Sequence, residues 1–393
     1  MAALSVRAGR TAFWHDKRLR ALVAQALLLA AIGFAAVTLY GNAVENLSRQ
    51  NIATGFDFLN RTAGFGIAQT LIPYTEQSTY GRALLVGLLN TLLVSGLGIV
   101  LATILGFIIG IGRISKNWLI ARICAVYVET LRNMPMLLQL LFWYFAVIRA
   151  LPGPRQSLAA AGMAFLNNRG LYVPRILVEP EAFLVALSFV VGVAGTFVLS
   201  RMAHGEREKR GVARPILARS LLLIFGLPLV VATLTGFPFS IQIPELKGFN
   251  FAGGVQMSPE LLALLIALST YTASYIAEIV RAGILGVARG QSEAALSLGL
   301  TRGQTLRLVV VPQALRIIVP PLTSQYLNLT KNSSLAVVIA YPDLVNVFAG
   351  TTLNQTGQAI EVILITMGIY LSLSLLTSLA MNIYNRRTRF AER

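Results

Sequence analysis

Four polar residues, Gln325, Asn328, Lys331 and Asn332, recur at helical spacing inside an otherwise apolar stretch. A helix turns once in about 3.6 residues, so the four share one face. Lys331 interrupts a run from Ile317 to Tyr341 that is otherwise uncharged. An ammonium at such depth is costly unless it meets a polar partner or a water-filled path. The stripe offers a cation for a carboxylate and amide oxygens for an ammonium. It reads either as a substrate path or as hydrogen bonding between helices. Two opposite-charge pairs at i, i+3 spacing add to it: Glu129 with Arg132, and Glu278 with Arg281. Each pair can close along one helix, so each reads as functional or as a structural ion pair. Glu361, where the last apolar run begins, reads as interfacial.

Other chemistry is missing from the chain. Cys124 is the single cysteine, so neither an internal disulfide nor a cysteine-based zinc site is expected. His15 and His204 stand in basic gaps without ligand-spaced partners, and solvated positions are expected for both. None of the five lysines follows a glycine, which leaves no phosphate-cradling P-loop. The hydrolase patterns Gly-Xaa-Ser-Xaa-Gly and His-Glu-Xaa-Xaa-His are absent too.

The elements that must position these residues are membrane helices. Of 393 residues, 55% are hydrophobic and 12% charged, where a soluble domain carries about 25% charged. A net charge of +17 raises the question of nucleic acid, but Lys and Arg occupy short gaps between long apolar runs instead of forming a basic face. A helix needs about 20 apolar residues to cross a bilayer. Such runs occur at Ala21 to Tyr40, Ala83 to Gly112, Ala182 to Ser200, Ser220 to Gly236, Leu261 to Ala277, Ile317 to Tyr341 and Val362 to Tyr384. A shorter run, Met134 to Ile148, continues a helical pattern from about Trp118. The expectation is an all-helical integral membrane protein of about eight spans.

With the N-terminus inside, twenty-three Lys and Arg fall on the inner side and eight on the outer. That bias places both termini in the cytoplasm. The first run exceeds the apolar core of a signal peptide and Gly41-Asn42-Ala43 is a poor cleavage site, so the first helix is expected to be retained. Four stretches follow: 1–80, with an extra helix and an outer loop; 81–150; an insertion at 151–257 with two helices and Pro-rich outer segments; and 258–393. No internal repeat is visible, which weakens a reading as an inverted-repeat carrier. Gly106 and Gly110 form a GxxxG pair suited to close helix packing.

The inner loop at 290–312 carries the most specific pattern. Glu293-Ala294-Ala295 puts an acid in the first turn of a short helix, which suits the helix dipole. Gly299 ends or bends that helix, and Pro312 marks re-entry into the bilayer. Taken alone, this is a solvated helical elbow.

Glu293-Ala294-Ala295, Gly299 ten residues before Val309, and Val311-Pro312 together resemble the EAA loop of ABC-importer permeases. Tyr127-Val128-Glu129-Thr130-Leu131-Arg132-Asn133-Met134-Pro135 is similar to a segment of their polar amino-acid branch. Ala273-Ser274-Tyr275-Ile276-Ala277-Glu278-Ile279-Val280-Arg281 and Lys331-Asn332-Ser333-Ser334-Leu335 resemble two further signatures, and bring Ser274 and Ser333 among the candidates. The likeness covers about residues 80–150 and 258–390, leaving the first helix and the 151–257 insertion outside the usual five-helix core. A chain enlarged in this way resembles the general L-amino-acid permeases, including importers of glutamate, glutamine, aspartate and asparagine.

The resemblance implies a bacterial inner-membrane permease subunit working by alternating access. Its implied partners are a second homologous permease, a pair of cytoplasmic ATPases and a periplasmic binding protein. Glu293, Ala294, Ala295, Gly299 and Pro312 would couple to the ATPase. No cofactor is expected on this chain, and ATP-Mg would sit in the partner. The competing reading is an ion-coupled secondary amino-acid transporter, which leaves the loop pattern unexplained.

Overall fold

A computed structural model describes residues 17–49, 54–210 and 217–388. Arg7, Arg10, His15, Arg214, Arg389 and Arg393, which contribute to the charge argument or the histidine reading, lie outside the described residues. The chain is mostly helical, and among the described residues seven helices are long and apolar enough to cross a membrane, or up to eight counting one bent pair. In chain order the helices named below are α1 (Lys17–Arg49), α2 (Tyr80–Arg113), the bent pair α3 (Trp118–Asn133) and α4 (Met136–Ile148), α5 (Ala182–Arg210) and α6 (Leu217–Leu234). There follow α7 (Pro259–Leu285), the short α8 (Arg289–Ser297) and α9 (Arg302–Thr305), then α10 (Val311–Asn332) and α11 (Ala359–Thr388). His204 lies within α5 and not in a loop.

The expected single helix from Trp118 to Ile148 is corrected, because α3 and α4 meet at 107°. Pro135 supplies the reason. It has no amide hydrogen and disfavours helical geometry in the residue before it, and Met134 is extended at φ −99°, ψ 132°. Buried Gln139 staples the corner, its Nε2 donating to the carbonyls of Leu131 at 2.9 Å and Met134 at 3.1 Å.

Contacts divide the chain into two units. The first comprises Met1–Thr91 and Pro342–Thr377, with Phe58, Tyr80, Leu344, Phe348 and Val362 at its core. Glu361, expected at an interface, is buried there, and its Oε1 accepts the Gly55 amide at 2.8 Å. Buried Asn90 donates through Nδ2 to the carbonyls of Gln69 and Pro342, each at 2.9 Å.

The second unit comprises Leu92–Tyr341 and Ser378–Arg393. Its centre is α7, fully enclosed at Leu264, Leu268, Ile276 and Val280 and packed against α3, α4 and α10. Gly106 and Gly110 let α2 approach α7 as their spacing suggests. A Cβ on Gly106 would lie 2.5 Å from Ile276 Cγ2, and one on Gly110 would lie 2.7 Å from the Ala277 carbonyl. A widened π-type turn at Leu306–Val310 leads into α10 ahead of Pro312, and Pro320 and Pro321 stand inside the helix. The 3₁₀ segment Ser333–Ile339 then closes on Ala340 in left-handed geometry.

The described residues of the 151–257 segment hold the two expected helices and, in addition, eight short strands. Strands β1 (Leu158–Ala160), β2 (Ala164–Asn167), β3 (Gly170–Val173) and β8 (Val255–Met257) make one antiparallel sheet in the order β1-β2-β3-β8. Strand β4 (Arg175–Val178) pairs with β5 (Phe239–Gln242), and β6 (Glu245–Lys247) with β7 (Asn250–Ala252). Stacking of Phe165 on Phe251, and a 2.9 Å bond from the Tyr172 hydroxyl to Asn250, join these pieces. Strands of three or four residues bounded by Gly and Pro give too short an alternation to stand out from a loop.

Candidate functional site

Two adjoining cavities in the second unit collect most of the candidate residues. One, of about 420 Å³, is a charged groove between α3 and α7, lined by Arg113, Glu129, Arg132, Asn133, Tyr275 and Glu278. The other, of about 260 Å³, lies between α7 and α10 and is lined by Tyr271, Thr272, Tyr275, Gln325, Asn328 and Asn332. Every side chain on that second list is neutral.

The groove is framed by contacts between helices. Tyr127 of α3 donates its hydroxyl to the Thr270 carbonyl of α7 at 2.8 Å. At the end of α2, Arg113 pairs with Glu278 Oε2. Arg281 closes the expected i, i+3 pair, its Nη2 donating to Glu278 Oε1 at 2.6 Å. One carboxylate therefore carries two guanidiniums and ties α2 to α7, and charge-assisted bonds of this kind are the strong ones. Glu129 and Arg132 behave differently. They do not pair, although their spacing allows it: Arg132 instead lies over the Tyr275 ring, 5.1 Å from its centroid. That geometry is a cation–π contact.

The neutral cavity takes its walls from two facing helices. Tyr271 and Tyr275, one turn apart on α7, bring their hydroxyls to 3.1 Å. Across it, Gln325, Asn328 and Asn332 form the amide face of α10, as their spacing predicts. Nearby, the hydroxyls of Thr103 and Tyr326 meet at 3.0 Å and join α2 to α10.

Other candidates fall outside the cavities. Lys331 is exposed, and its ammonium makes no ion pair or hydrogen bond among the described residues. Ser274 is buried and gives its hydroxyl to the Tyr271 carbonyl at 2.6 Å. Ser333 is likewise buried, donating to the Thr330 carbonyl at 2.8 Å. Both are helix back-bonds within their own segments. Sequence reasoning missed Arg113 and Tyr275 as site residues. Arg113 stood out only as a topological charge, because its partner is 165 residues away. Tyr275 lies inside the segment quoted for Ser274 and Glu278, where an aromatic draws no attention among apolar neighbours.

The inner loop forms a compact elbow. Helix α8 carries Glu293 and Ala294 on its exposed side, while Ala295 is buried. Gly299 takes φ +81°, a left-handed value that a glycine reaches without strain. Thr301 and Gln304 then cap α9 reciprocally. Beside Glu293, Leu296 is 46% and Leu298 83% exposed, which leaves an apolar tip on a polar loop.

Residues 98–390 match the family described as binding-protein-dependent transport system inner membrane component. The chain belongs to that family. It is 53% identical to the chain named YhdX of Escherichia coli (strain K12), over 95% of both chains. It is 50% identical to the general L-amino acid transport system permease protein AapQ of Rhizobium johnstonii, over 96% of this chain and 94% of that one. A third relative, the glutamate/glutamine/aspartate/asparagine transport system permease protein BztB of Rhodobacter capsulatus, is 43% identical over 96% of each. The matched span takes in both cavities and the elbow, and the full-length relatives extend across the 151–257 insertion as well. This permease is a multi-pass membrane subunit whose transporter keeps its ATPase on a separate chain.

Proposed function

We propose that this permease moves polar L-amino acids, such as glutamate, glutamine, aspartate and asparagine, inward across the bacterial inner membrane with both termini cytoplasmic. The observation that carries the reading is the stripe on α10. Asn328 and Lys331 are exposed in a span that also presents Gln325 and Asn332. A lysine cannot face hydrocarbon at low cost, so this face turns toward another protein or toward water. A second permease across a shared path satisfies that requirement. Relatives named GltK and GltJ are both glutamate/aspartate import permease proteins, which supports a two-permease arrangement.

In this reading the elbow at 290–312 docks on an ATPase that binds ATP-Mg, and a periplasmic binding protein delivers the amino acid. Glu293, Ala294, Ala295, Gly299 and Pro312 shape the docking piece, and exposed Leu298 supplies its apolar anchor. The cargo path runs by Glu129, Arg132, Glu278, Gln325, Asn328, Lys331 and Asn332. Ser274 and Ser333 are buried in two helical segments, their hydroxyls bonded to their own backbone.

The test is purification of the chain from native membranes in mild detergent, with identification of what accompanies it. A P-loop ATPase retained by wild type and lost with Gly299→Asp or Leu298→Asp supports the reading. A chain that purifies alone and still takes up amino acids in ATP-free vesicles overturns it and favours the ion-coupled transporter.

A further inference from the structure

The groove and the neutral cavity share one residue. Tyr275 lines both. Its ring holds the Arg132 guanidinium on the charged side, and its hydroxyl meets Tyr271 on the neutral side. The groove also contains two charges that the protein leaves available. Among the described residues Glu129 has no cationic partner and Arg132 no carboxylate, while Glu278 is already taken by Arg113 and Arg281. A carboxylate and a guanidinium one helical turn apart, at the edge of a cavity, complement a ligand that carries an ammonium beside a carboxylate. The neutral cavity holds amides and hydroxyls, which suit a polar side chain better than a pair of formal charges.

Resting on the amino-acid reading above, we propose that the Glu129–Arg132 groove binds the α-ammonium and α-carboxylate of an amino acid, and that Tyr275 is the movable partition between groove and cavity. The two halves of the proposal are linked through Arg132. A carboxylate offers the guanidinium two parallel charge-assisted bonds, a stronger partner than an aromatic face. A ligand that takes Arg132 therefore strips the cation from the Tyr275 ring, leaving that ring held by its hydroxyl contact with Tyr271. Recognition of the ligand's backbone charges and opening toward the neutral cavity become one event. No bond is made or broken covalently.

The experiment uses the permease with its partner subunits in lipid nanodiscs, without binding protein. Tritiated L-glutamine is displaced by unlabelled glutamine, by its α-amide, which lacks the carboxylate, and by N-acetyl-glutamine, which lacks the ammonium. Wild type should disfavour each analogue by on the order of tenfold, the scale of one charge-assisted contact. Arg132→Gln should erase discrimination against the α-amide alone, and Glu129→Gln against the N-acetyl compound alone. Arg132→Lys and Glu129→Asp should preserve it, which separates lost charge from lost folding. For the partition, Thr272→Cys in a Cys124→Ser background should react slowly with a thiol reagent. It should react faster with Tyr275→Leu but not with Tyr275→Phe, which keeps the ring.

Discrimination that survives Arg132→Gln and Glu129→Gln but is lost in Gln325→Ala or Asn328→Ala overturns the groove assignment and leaves the importer reading standing. Equal labelling of Thr272→Cys with Tyr275 and with Leu at that position removes the partition. A complex that binds no polar amino acid defeats both the site and the reading beneath it.

Discussion

Helices α6 and α7 are both apolar enough to span a bilayer, yet 67% of the apolar window of α7 is buried in protein against 6% for α6. The more apolar of the two is the one left outside. In water the order would be reversed. In lipid, hydrocarbon accepts leucine as readily as a protein core does, and burial is driven by packing and by polar groups that must leave the acyl chains. Helix α7 carries small residues for close contact and Tyr271, Tyr275 and Glu278 for the site, whereas α6 offers Leu222, Phe225 and Leu234 to its surroundings. Of these two spans, the less apolar is the one enclosed by protein.

Substitutions can break or sharpen that contrast. The largest effect is expected from Gly110→Leu, where the added side chain meets the Ala277 carbonyl and Val280. Overpacking there should cost about 3 kcal/mol, read as a fall in thermal unfolding temperature in detergent. The same change at Gly33 of α1, with nothing within 4 Å, should stay within about 0.5 kcal/mol. Equal losses at the two positions would erase the distinction between protein-packed and exposed helices.

Next in size is Leu268→Ala, at a fully enclosed position of α7. The cavity should cost about 2 kcal/mol, while Leu222→Ala on α6, 70% exposed, should be nearly silent in the same unfolding assay. Glu278→Gln should follow at about 1–2 kcal/mol, since Arg113 and Arg281 lose their shared carboxylate at a site that solvent partly screens. Limited proteolysis between α2 and α3 offers a second readout, and an unchanged pattern would mean that the ion cluster does not tie α2 to α7. The smallest effect on folding belongs to Lys331→Ala, under about 0.5 kcal/mol for an exposed side chain. Uptake should nonetheless fall or change its preference among amino acids. Lost stability with intact selectivity would instead make Lys331 a packing residue.

What could be read from the residues alone follows from range. Gly299 as a helix stop, the Gln325–Asn328–Asn332 face and the Glu278–Arg281 pair all depend on neighbours within a few positions, where helical spacing is a reliable guide. The charge on Arg113 was visible but its purpose was not, because only folding brings α2 beside α7. Glu129 and Arg132 show the opposite failure. Their spacing allowed a local pair, and Tyr275, on another helix, won the arginine. The corner at Met134 was concealed because a helical pattern from about Trp118 runs on into the apolar stretch beyond Pro135, where one missing amide hydrogen outweighed the pattern. In the 151–257 insertion, strands of three or four residues leave no period long enough to detect.

Pro320 and Pro321 lie between the elbow and the amide face of α10. Two consecutive residues without amide hydrogens remove two rungs of the helical ladder at one level. The rod running from Val311 to Asn328 spans about 25 Å at the usual helical rise, and its stiffness is lowest at that joint. A push delivered at the elbow end would therefore reach Gln325 and Asn328 as a tilt about the prolines more readily than as a shift of the whole shaft. The lever has its fulcrum built into the sequence.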